Sequence, residues 1–131
     1  MFSRRIRTPP APPVRERIFL DLAETVVYAV GDVHGCHDAL VSLERKIVED
    51  ARAHGGRKLI IMLGDYVDRG PASARVLAHL AGPPPQGFER LCLAGNHDVA
   101  MLDYLEGRIG LEDWLALDGR ATLYSYGIDP D

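Results

Sequence analysis

Hydrophobic positions gather along this chain in three short runs, and each run ends in glycine followed by polar residues that can bind metal. Val26-Val27-Tyr28-Ala29-Val30 leads into Gly31-Asp32-Val33-His34-Gly35. Leu59-Ile60-Ile61-Met62-Leu63 leads into Gly64-Asp65, and Leu91-Cys92-Leu93-Ala94 into Gly95-Asn96-His97-Asp98. Short apolar runs rich in β-branched residues predict buried strands, here over residues 25–30, 58–63 and 90–94. The first is nearly unbroken, which predicts cover on both faces. A shorter run, residues 18–22, predicts an edge strand. Between the strands the period changes. Leu40, Leu43, Ile47 and Ala51 form one helical stripe over residues 37–52, stopped by Gly55-Gly56. Pro71 suits the first turn of a second helix with Ala74, Leu77, Leu80 and Ala81 inward. Further helices are predicted over 98–105, with Met101, Leu102 and Leu105 inward, and over 111–117, anchored by Trp114. The order β-α-β-α-β defines an α/β fold with a parallel sheet and right-handed crossovers.

Size and composition narrow the class. The chain has 131 residues, 47% of them hydrophobic, which suits one folded domain rather than a disordered segment. Residues 1–16 are set apart by Pro9-Pro10-Ala11-Pro12-Pro13 and read as a flexible Pro/Arg-rich arm, leaving 17–131 as the domain. Net charge is −4. Five arginines against one glutamate make residues 1–17 +4, so the remainder carries −8. An acidic body disfavours nucleic acid and suits a site that holds cations. No apolar run is long enough to span a bilayer. Cys36 and Cys92 make no disulfide framework; Cys92 reads as a reduced core residue, and the expected compartment is the cytoplasm.

The three strand ends carry the chemistry, because sites in open α/β sheets form at the carboxyl ends of strands. Asp32 and His34, in a tight turn bracketed by glycines, can point at one centre, and carboxylate with imidazole suits a divalent first-row metal. Asp65 on the neighbouring strand can reach the same place. Asn96 offers an amide oxygen to a second cation sharing Asp65. His97, its neighbour, is better cast as an acid than as a ligand. Arg69, in Asp68-Arg69-Gly70, is matched to a phosphate, the alternative being a salt bridge to Asp68. A single Gly-Asp is ordinary turn chemistry. Three such endings in register indicate a metal site.

Gly31-Asp32-Val33-His34-Gly35, Gly64-Asp65-Tyr66-Val67-Asp68-Arg69-Gly70 and Gly95-Asn96-His97-Asp98 resemble, in order, the three N-terminal motifs of the calcineurin-like metallophosphoesterases. The likeness is nearest the phosphoprotein phosphatase (serine/threonine) branch, with its bacterial members and the diadenosine tetraphosphate hydrolases. It runs from about residue 25 to the C-terminus, and Trp114 with Leu123-Tyr124-Ser125-Tyr126-Gly127 resembles the bacterial phosphatases. The resemblance implies two divalent ions, manganese foremost, with iron, zinc, nickel or magnesium as alternatives. Asp32 and His34 would bind the first, Asp65 would bridge, and Asn96 would bind the second. His97, held by Asp68, would protonate the leaving group, and Arg69 would hold the phosphoryl oxygens. The implied reaction is in-line attack on phosphorus by a metal-activated water, without a phosphoenzyme.

The family continues into a second strand–helix half carrying two more histidine ligands, and no histidine follows His97 here. The chain therefore reads as the N-terminal half of a two-sheet sandwich, truncated, with an incomplete second metal site and poor turnover on its own. Apolar sheet surface should be exposed unless a second copy or a partner covers it. The leading expectation is a serine/threonine protein phosphatase acting on a phosphorylated protein or a phosphoester small molecule. The alternatives are a dinucleoside polyphosphate hydrolase and a non-catalytic remnant that binds one metal or none. Asp98, where many protein phosphatases carry glutamate, leans toward the dinucleotide; Trp114 and Tyr126 lean back.

Overall fold

The computed structural model describes residues 17–131. The proposed arm, residues 1–16, lies outside them. Three strands, β1 (Thr25–Val30), β2 (Arg57–Met62) and β3 (Glu89–Cys92), form a parallel sheet in the order β1-β2-β3. Helices α1 (His37–Asp50) and α2 (Ser73–Ala81) make the crossovers, and α3 (Asn96–Leu105), α4 (Leu111–Leu115) and α5 (Gly119–Ser125) follow. The α/β class and the alternation read from the sequence are those of the molecule, an arrangement that fits the N-terminal half of a metallophosphoesterase.

Alternation along the strands decides where the core lies. Val30 of β1 with Ile60 and Met62 of β2 point to one face, and meet Leu40 and Ile47 of α1 and Val76 of α2. Tyr66 and Val67, from the loop after β2, close this core. A second, smaller cluster joins Ala100, Trp114 and Leu123 of α3, α4 and α5, with Tyr104 stacked on the Trp114 indole at 5.1 Å between ring centres.

Several expectations are corrected. Residues 18–22 form no strand: the Asp21 carboxylate accepts the Ala23 N–H at 2.9 Å, a local turn that competes with sheet pairing. β1 is not covered on both faces. Ala29 is exposed, and Ile61 and Leu91 beside it are only part-buried, so the face opposite the core is open toward the carboxyl ends of the strands, while Thr25 and Leu59 at its other end are buried. Cys92 is exposed rather than core, because among the described residues β3 is an edge strand paired with β2 alone. On α1, Leu43 faces outward and Glu44 takes the buried position, which Arg90 makes tolerable by donating to it at 3.0 Å. Leu102 and Leu105 of α3 are exposed; His97, Asp98 and Ala100 are the buried residues of that helix. α5 has no counterpart among the predicted helices, since its seven residues carry too short an apolar stripe to register.

Candidate metal centre and acid pair

Each functional side chain sits just beyond a strand end, and the three loops are bound to one another by their backbones. Val33 and His34 both donate N–H to the Asp65 carbonyl, at 3.0 and 2.9 Å, and Gly35 donates to the Tyr66 carbonyl at 2.9 Å. These bonds hold the first loop on the second. Two glycines let the loops approach. A Cβ on Gly70 would overlap the His34 carbonyl, and one on Gly95 would overlap the Asp65 carboxylate. Four non-glycine residues here, His34, Asp65, Asp68 and Arg69, have positive φ of 41°, 55°, 68° and 67°. Left-handed backbone costs of order 1 kcal/mol or more per residue, and it persists because neighbouring contacts over-determine it.

The candidate metal ligands do converge. Asp32, His34 and Asp65 each offer one ligand atom, and these atoms all lie within 4.8 Å of one another. Asp32 Oδ2 and His34 Nε2 are 3.7 Å apart. His34 Nδ1 lies 2.8 Å from the Val67 carbonyl, which can only accept, so Nδ1 carries the proton and Nε2 presents its lone pair. Two carboxylates and one correctly oriented imidazole fit a divalent cation. Asn96, the first residue of α3, is exposed, and it stands between two residues that touch Asp65: Gly95, and His97, whose backbone N–H donates to Asp65 Oδ1 at 3.0 Å.

His97 is buried, 4% exposed, with Nδ1 2.9 Å from Asp68 Oδ2. Asp68, wholly buried, also accepts from the Trp114 indole at 3.2 Å and from the Thr122 hydroxyl at 2.7 Å. With its carboxylate ringed by donors, the His97 proton is fixed on Nδ1, and Nε2 is the ring atom left to exchange a proton outside the pair. The His97 ring meets the His34 ring edge-on at 4.8 Å, so the acid pair adjoins the metal centre. Arg69 makes no salt bridge to Asp68. Its guanidinium lies 3.6 Å from Asp118 and donates to His34 Nε2 at 3.2 Å, and it stays more than half exposed at the mouth of the site.

Two supports were not legible as site residues. Asp98 accepts backbone N–H groups of Asp65, Tyr66 and Gly95 at 2.6, 2.8 and 2.9 Å, tying the second loop to the third. Its signal was available: an acidic residue three after Gly95 is half of a capping box, and α3 starts at Asn96 rather than at Asp98 for that reason. Thr122 left no signal, because it lies 54 residues from Asp68. Tyr66 locks the strand ends. Burial, followed by the nearby Cys92 and Asp98, holds its phenol well above the usual range, so it stays a donor to the Leu93 carbonyl at 2.5 Å.

A sequence profile of the calcineurin-like phosphoesterases matches residues 25–128. The chain belongs to the calcineurin-like phosphoesterase family. Within it, the chain is 33% identical over 82 residues to the asymmetrical bis(5′-nucleosyl)-tetraphosphatase PrpE of Bacillus subtilis, covering 60% of this chain and 33% of that protein. It is 36% identical over 80 residues to the symmetrical bis(5′-nucleosyl)-tetraphosphatase of Klebsiella pneumoniae, covering 61% and 26%. The counterpart from Delftia acidovorans is 36% identical over 81 residues, covering 62% and 26%. The chain thus spans about a quarter to a third of the length of the curated relatives it matches. Metal-dependent phosphoester hydrolysis is the general chemistry of this family. No helix among the described residues is long and apolar enough to cross a membrane.

Proposed function

We propose that this chain carries the first-metal and proton-donor side of a hydrolase acting on dinucleoside polyphosphates. The observation that carries the reading is the juxtaposition of two groups: convergent Asp32, His34 and Asp65, and the buried Asp68–His97 pair beside them. Similarity to three bis(5′-nucleosyl)-tetraphosphatases supports this substrate class over a phosphoprotein.

In this reading Asp32, His34 and Asp65 hold one divalent cation, with Asn96 beside Asp65 available to a second. A bound dication supplies Lewis-acid polarisation of phosphoryl oxygens and acidifies water. The chain's own residues do the rest. Arg69 exchanges both Asp118 and the His34 Nε2 lone pair for the substrate, its guanidinium being matched to two phosphoryl oxygens. Asp98 and Gly95 keep the Asp65 carboxylate in place. Asp68 holds the His97 proton on Nδ1 and stabilises the imidazolium, so that Nε2 delivers a proton to the departing phosphate oxygen.

The test takes the purified chain with manganese(II), diadenosine tetraphosphate and, separately, a phosphothreonine peptide. Metal-dependent nucleotide release that exceeds release of phosphate from the peptide, and that disappears in Asp65→Asn, is expected. Faster peptide hydrolysis would return the serine/threonine phosphatase reading. Stoichiometric metal binding without hydrolysis of either substrate would leave a metal-binding module.

A further inference from the structure

Three observations converge on the α4–α5 segment, which supplies no ligand and no proton donor. Trp114 of α4 donates its indole N–H to Asp68 Oδ2 at 3.2 Å, the oxygen that also accepts from His97. Thr122 of α5 grips Asp68 twice: its hydroxyl donates to Oδ1 at 2.7 Å and accepts the Asp68 backbone N–H at 2.8 Å. Ser73 Oγ lies 3.2 Å from the same hydroxyl. Trp114, Thr122, Ser73 and Asp68 are all essentially inaccessible to solvent.

We propose that Thr122 and Trp114 are positioning residues for the Asp68–His97 pair, fixing Asp68 as an acceptor and thereby keeping the His97 proton on Nδ1. The inference rests on the reading of His97 as proton donor. Trp114 Nε1 can only donate, so Oδ2, the oxygen that faces His97, already acts as an acceptor, while Thr122 donates to Oδ1 and accepts the Asp68 N–H. Trp114 and Thr122 thus hold both carboxylate oxygens of Asp68 where the His97 ring can donate to it. The Thr122 bond to the backbone N–H also restrains Asp68 at φ 68°, a left-handed conformation that carries an energetic cost. Gly119 completes the clamp, because a Cβ there would come within 2.7 Å of the Trp114 indole.

The test reads the His97 ring directly in nitrogen-15-labelled, metal-free chain. Long-range proton–nitrogen spectra report the tautomer, and solvent exchange of the Nδ1 proton reports how firmly it is held. Thr122→Val keeps the shape and removes the hydroxyl; Thr122→Ser keeps the hydroxyl; Trp114→Phe keeps the stacking ring and removes the donor. Loss of one hydrogen bond to a charged group predicts Nδ1-proton exchange about tenfold faster in Thr122→Val and in Trp114→Phe. A fraction of the Nε2-protonated tautomer should appear with it, and Thr122→Ser should stay near wild type. Folded Thr122→Val and Trp114→Phe with wild-type tautomer and exchange would overturn the proposal. So would unfolding of both, or a Thr122→Ser indistinguishable from Thr122→Val, since these groups would then serve packing alone. If one variant unfolds, the other decides. Because the readout needs no turnover, absence of hydrolysis in the wild type alongside these spectral changes would sink the hydrolase reading and leave the positioning role standing.

Discussion

The Asp65 carboxylate is held from several sides. Its own backbone N–H is held by Asp98, its φ is 55°, and its Oδ1 lies against Gly95 while accepting the His97 N–H. Gly95→Ala forces the carboxylate to move, because the added methyl and the oxygen would occupy one place. Removing an outer-shell partner of a metal ligand typically costs ~10–100-fold in affinity. Gly95→Ala is expected to weaken manganese(II) binding by about that much, and Asp65→Ala by more, as measured by calorimetric titration. Unchanged affinity in both would remove Asp65 from the metal site. The motif glycines could be read in the sequence as turn residues, but the atom each one makes room for could not. Gly70 belongs to the second loop and clears the His34 carbonyl of the first.

At the scale of elements, two ties join the sheet to its helices. Glu44 of α1 is buried, accepting from Arg90 at 3.0 Å and paired with His79 at 2.6 Å, while Arg90 also donates to the Gly82 carbonyl at 2.7 Å beyond α2. Truncating one partner of a buried ion pair strands the other charge and costs ~3–5 kcal/mol. Arg90→Ala should therefore lower the denaturant midpoint by an amount equivalent to ~3 kcal/mol, and adding Glu44→Ala should recover part of the loss. A double variant no better than the single would show that Glu44 is not the group being rescued. This pair defeats periodicity: a charged residue on a helix reads as solvated until a strand and a second helix supply its partners.

The second tie is Tyr28 of β1, whose hydroxyl donates to Asp50 at the end of α1 at 2.7 Å. That hydrogen bond, then burial and the Asp50 charge, push the phenol up to about 12 from an ordinary value of 10.0. With the folded value raised above the unfolded one, the tie contributes fully below pH 10.0 and is lost as pH rises through about 12. The stability difference between wild type and Tyr28→Phe should therefore shrink across that window, followed by denaturant unfolding at fixed pH steps. A constant difference would dissociate the phenol from the tie.

For the whole molecule, the uneven cover of the sheet is the governing feature. The core face is closed by α1 and α2, while Ala29 is exposed on the other face and Leu63 and Leu93 at the strand ends are 50% and 46% exposed. Apolar side chains exposed on one sheet face offer a surface to apolar probes. The chain should bind the dye ANS in its folded state, and the Leu63→Glu, Leu93→Lys double variant should reduce the fluorescence without loss of helical signal. Equal fluorescence in both would place the dye elsewhere.

What the sequence by itself determined is local and periodic. Three apolar runs set the strands, the intervening stripes set α1 and α2, and glycine followed by Asp, His or Asn put ligand residues where parallel strands end. These features follow from propensity, period and turn chemistry, which act over a few residues. The tertiary structure alone decided which groups share a contact. It set Asp68 among His97, Trp114 and Thr122, paired Arg69 with Asp118 in place of Asp68, and buried Glu44 against Arg90 and His79. The physical reason is that hydrogen bonds and ion pairs reward proximity in space. Proximity between residues 46 or 54 positions apart is set by how helices pack, which no local pattern records.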